Sequence, residues 1–104
     1  MSLQPQSAFT TDAAVGAAFG SASSPVLLPG TPSGDTVVRV ANLGPCHLAV
    51  ALGTTNAVTV TPSTGIVVLA GQVQYIGLGI NTYIAGVSCG GPGSSAMVNI
   101  ATGN

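Results

Sequence analysis

Lysine, glutamate and tryptophan are missing from this 104-residue chain, and its formal charges come to one arginine and two aspartates. Charged residues make up 3% of the sequence, against roughly 25% in an ordinary soluble domain. Each absence removes a class of function. Binding a nucleic-acid backbone needs several cations to displace phosphate counterions, and Arg39 alone does not supply them. Metal sites of the histidine–carboxylate type lack their ligands, because Asp12, Asp35 and His47 are the whole supply. General acid–base catalysis has the same shortage, so no enzymatic role and no cofactor are expected.

What is present is apolar or neutral-polar. Hydrophobic residues make up 46% of the chain, glycine counts 15, and the mean hydropathy is +0.63. That is too apolar for disorder. A surface of Ser, Thr, Asn, Gln and Gly suits two settings: burial against other subunits of a large assembly, or an outward-facing module in solvent. Composition favours the first. The best window for a membrane span, 66–87, is broken by Gln72, Gln74, Asn81 and Thr82, so no membrane partner is expected. The N-terminal Met-Ser-Leu-Gln-Pro-Gln has neither a basic region nor an apolar run, which predicts a product made in the cytoplasm without a secretory leader. Cys46 and Cys89 form no C-x-x-C motif and are expected as free, half-buried thiols.

Two regions are expected. Residues 1–24 read as an extended arm of small residues, with Gly16 and Gly20 arguing against a helix. Phe9 and Phe19, the only phenylalanines, both fall there and read as anchors docking on a neighbour, the alternative being a disordered tail. Residues 25–104 read as one all-β domain, a β-sandwich or jelly roll of about eight short antiparallel strands. Val38 and Val40 alternate with Val37 and Arg39. After a tight turn at Asn42-Leu-Gly-Pro45, Cys46, Leu48, Val50 and Leu52 share one face, opposite His47, Ala49 and Ala51. Val58 and Val60 predict the inward face of the next strand. Residues 66–69, apolar on both sides, predict a central strand. Residues 73–78 and 82–89 predict a hairpin around Gly79-Ile-Asn81. The Gly/Ser stretch after Cys89 precedes a last strand over 96–101, with Ala96, Val98 and Ile100 on one face.

The candidate interaction residues are few. Asp35 and Arg39 stand four apart on one strand face, about 13 Å from each other. They are read either as members of ion pairs to another subunit, which would set register, or as simply solvated. Tyr75 and Tyr83 flank the expected hairpin turn, where they would serve interface or core packing, or stack on sugar rings. His47 has no second ligand nearby and reads as a hydrogen-bonded surface imidazole. Gly90-Gly-Pro-Gly lacks the lysine and helix of a phosphate loop.

The run Arg39-Val-Ala-Asn-Leu-Gly-Pro-Cys-His-Leu-Ala-Val-Ala-Leu-Gly53 is followed by Val67-Val-Leu-Ala-Gly71. Then come Tyr83-Ile-Ala-Gly-Val-Ser88, a Gly/Ser loop and a Val-x-Ile strand. Together these resemble small all-β virion proteins of tailed bacteriophages, of the capsid decoration or cement type. The resemblance implies a homotrimer or dimer on the outside of a capsid, gripping the major capsid protein and stabilising its lattice. The rival expectations are a receptor- or carbohydrate-binding head-fibre module, and a tail or neck component.

Overall fold

The computed structural model describes residues 11–30 and 36–103. They form eight strands and, among the described residues, no helix: β1 (Thr11–Phe19), β2 (Ser24–Leu27), β3 (Val37–Pro45), β4 (Leu48–Gly53), β5 (Ile66–Val68), β6 (Val73–Gly77), β7 (Tyr83–Ser88) and β8 (Ala96–Gly103). The strands make two antiparallel sheets of four. One runs β1-β8-β3-β6 and the other β2-β7-β4-β5. The pairings nest: β1 lies on β8, β2 on β7, β3 on β6 and β4 on β5. Only the β4–β5 connection stays within one sheet, and every other connection crosses to the opposite one.

Period-two alternation builds the core. Val38 and Val40 of β3, Leu48 and Val50 of β4, Val68 of β5, Ile84 of β7, and Ala96, Val98 and Ile100 of β8 belong to one buried cluster. Both sheets contribute to it. A second, smaller cluster joins Ala49, Ala85 and Val87 to Val60 on the other face of the β2-β7-β4-β5 sheet. Here the sequence expectation of a strand at Val58 and Val60 is corrected. That stretch is irregular chain packed over the sheet's alanines, with Val58 against the same cluster. A Cβ at Gly65 would stand 2.5 Å from Val60 and 3.0 Å from Ala49, so only glycine lets the loop lie this close.

Four further expectations are corrected. The arm does not stand apart as far as residue 24. Thr11–Phe19 pairs along β8, and Phe19 is fully buried in the main cluster, so it is a core residue and not an anchor for a partner. Phe9 and Asp35 lie outside the described residues. β6 and β7 do not form a hairpin. Ile84–Ser88, five buried residues in a row, have a covering neighbour on each side, β2 and β4, and β6 pairs with β3 in the other sheet. β5 is an edge strand of three residues and not a central one: Val68 is buried, Val67 faces away from it, and Ile66 is exposed although it shares Val68's face.

The last correction concerns Asn42-Leu-Gly-Pro45, which continues β3 with a register shift between Asn42 and Gly44 instead of turning. Asn42 is buried. Its Nδ2 donates to the carbonyls of Cys46 and Val68, each at 2.9 Å, and its Oδ1 accepts from Gly44 N–H at 2.9 Å. One side chain thus satisfies the bulge and ties β3 to β5 across the sheets.

Candidate interaction surface

Because Val38 and Val40 point inward, Arg39 and Ala41 point to the outer face of the β1-β8-β3-β6 sheet. Register then places the rest of that face. Arg39 lies opposite Tyr75 on β6 and opposite Ala101 on β8, and Ala101 in turn lies opposite Ala14. The next row is Val73, Ala41, Asn99 and Gly16. Beyond it stand Met97, opposite Gly44 and Ala18, and Leu43 in the bulge.

The large apolar side chains on this face are open. Leu43 is 70% exposed, Tyr75 55%, Met97 52% and Val73 39%. Ala41, between Val73 and Asn99, and Ala101, beside Arg39, are buried. Arg39, half-buried, donates from Nη1 to Asn99 Oδ1 at 3.4 Å, and is the only lysine or arginine in the sequence. The result is a largely apolar surface with one guanidinium near its middle. Isolated exposed apolar residues are ordinary, but a run of them across adjacent strands marks a contact surface.

Of the six residues singled out in the sequence, the structure brings two together: Arg39 and Tyr75. Tyr83 lies in the other sheet, half-buried between Leu27 and Gly53, so the two tyrosines form no common platform. His47 is exposed, and its Nδ1 accepts a hydrogen bond from Ala70 N–H at 3.0 Å, as a surface imidazole does. Among the described residues no three His, Cys, Asp or Glu side chains gather as metal ligands, and no helix is long and apolar enough to cross a membrane.

Sequence reasoning missed Leu43, Val73, Met97 and Asn99. Met97 carried a usable signal, since it stands between Ala96 and Val98 and must face away from them. Leu43 carried none, because its segment has the composition of a turn. No protein-family model, curated protein or solved structure matches the chain.

Proposed function

We propose that the protein is a structural virion component: a β-sandwich of jelly-roll type that attaches to the outside of a tailed-phage capsid and stabilises the lattice of its major capsid protein. The observation that carries this reading is the outer face of β1-β8-β3-β6, apolar at Leu43, Val73, Tyr75 and Met97 and nearly free of charge. Docking such a face on a protein shell buries apolar area without stripping water from many ions. Many copies on one shell multiply the effect, since subunits cannot part before the clamps across them are released. The nested strand pairing supports the fold assignment. An antiparallel ribbon pairing first strand with last, second with seventh, and so inward, wraps into two sheets in this order. Jelly rolls of this kind recur in virion proteins, a support by analogy of fold only.

The experiment is reattachment. Capsids stripped of this protein are mixed with the wild-type chain, with Val73→Glu and with Met97→Glu, and particle-bound protein is measured after sedimentation. Wild type is expected to bind. Each glutamate variant is expected to fold and to lose most of its attachment, because a carboxylate would be buried without a partner. Equal binding by all three would overturn the proposal.

A further inference from the structure

Two sheets of four strands leave four edges, and natural proteins blunt such edges against strand pairing. Three of these are short or carry a guard. β2 has four residues and includes Pro25, which has no N–H to donate; β5 has three residues; β6 has five. β1 is different. It runs nine residues, contains no proline or lysine, and has one charge, Asp12, beside the register shift at its start. Among the described residues it pairs only with β8, so one of its long sides presents free backbone groups.

A second observation lies at the middle of this strand. Val15 is in register with the fully buried Ile100, on the inner side of the sheet, yet remains 36% exposed, and among the described residues no strand lies beyond it. We propose that β1 pairs antiparallel with β1 of a second copy of this chain, about a two-fold axis through Val15. That register sets Val15 against its own counterpart, Ala14 against Gly16, Ala13 against Ala17 and Asp12 against Ala18. No like charges face each other, and no bulky side chains collide. Each Val15 covers the open flank of the other, and the two four-stranded sheets become one of eight. A contact of this symmetry closes as a dimer. The pairing concerns an edge and not the outer face, so it stands or falls apart from capsid attachment.

The test uses charge at the axis. Val15→Lys or Val15→Glu would set two like charges opposite each other and raise the dimer dissociation constant by more than about tenfold. Sedimentation of the wild type should then show a concentration-dependent dimer, with each variant monomeric. Native mass spectrometry of an equimolar mixture of the two variants should recover a one-to-one heterodimer. Val15→Cys supplies an independent reading that leaves the charge unchanged. Opposed Cα atoms in such a pair stand about 4.5–5.5 Å apart, within disulfide reach, so oxidation should yield a covalent dimer that Cys46→Ala and Cys89→Ala do not abolish. A monomeric wild type, or an oligomer that survives both charged variants, overturns the proposal. So does association of this edge with another protein's strand in place of itself.

Discussion

The ring of Phe19 lies directly on the backbone of Gly86: a Cβ built at Gly86 would stand 2.5 Å from Phe19 Cδ2 and 2.6 Å from Cγ. Phe19 ends β1 in one sheet, and Gly86 is the middle of β7 in the other. The contact therefore joins the sheets at the point where the chain passes from β1 towards β2. The Gly20 carbonyl strengthens it by accepting from Ser88 N–H at 2.7 Å. Phe19→Ala should cost about 3–5 kcal/mol in chemical denaturation. Gly86→Ala forces the ring to move and should cost about 1–3 kcal/mol. The two sites touch, so their effects should not add: Gly86→Ala is expected to cost less in a Phe19→Leu background than in the wild type.

Removal of residues 1–24 should abolish the cooperative fold. The deletion strips β1 from β8 and takes the largest fully buried side chain out of the main cluster. Circular dichroism and thermal melting check this, and a truncated chain that melts as sharply as the full one would refute it.

Asn42 offers a third measurement. Asn42→Ala leaves the Cys46 and Val68 carbonyls and the Gly44 N–H without their partner, at about 1–3 kcal/mol for each buried group left unpaired. Asn42→Asp should be worse than alanine near neutral pH, because a carboxylate would face the two carbonyl oxygens that the amide now serves. Equilibrium unfolding of both variants gives the order. Alanine worse than aspartate would mean that the amide's donor role has been misread.

Strands were legible where β-branched residues alternate, as at Val38 and Val40 or Val98 and Ile100, because burial on one face of a pleated strand imposes a period of two. β1 was not legible. Its alanines and glycine have poor strand propensity, and it is a strand because β8 offers it a ladder, with Phe19 locked at its end. Nor did sequence tell which sheet a strand joins. Gly79-Ile-Asn81 has the composition of a hairpin turn, yet Leu78 is buried just before it, Asn81 Nδ2 caps the Leu78 carbonyl at 2.9 Å, and the chain crosses over. Of the candidate surface, Arg39 and Tyr75 stood out by rarity, whereas Val73 and Leu43 look in sequence like any core residue.

The cysteines should be indifferent to reduction. Cys46 and Cys89 are free. Cys89 packs against the cluster of Ala49, Val60, Ala85 and Val87, while the Cys46 sulfur lies where a Cβ on Gly90 would meet it at 2.8 Å. Adding a reductant should therefore leave the melting temperature unchanged. A bridge between them would be worth a few kcal/mol by constraining the unfolded chain, so a clear fall in melting temperature under reduction would contradict the free thiols.

The last expectation concerns salt. Attachment through the outer face of β1-β8-β3-β6 would engage a single guanidinium, Arg39, among apolar side chains. Screening weakens contacts between exposed charges, and a lone charge gives it little to act on. Apolar burial responds in the opposite sense, since sulfate is excluded from protein surface and favours its removal from water. Binding to stripped particles should thus change little as sodium chloride rises, and should tighten in ammonium sulfate. Arg39→Met keeps an apolar stem of similar reach and removes the one charge; it should abolish whatever small chloride dependence remains, with stability altered by no more than about 1 kcal/mol. A steep loss of binding in sodium chloride would instead mean that ion pairs from elsewhere on the chain hold the contact, and that this face is not where it forms.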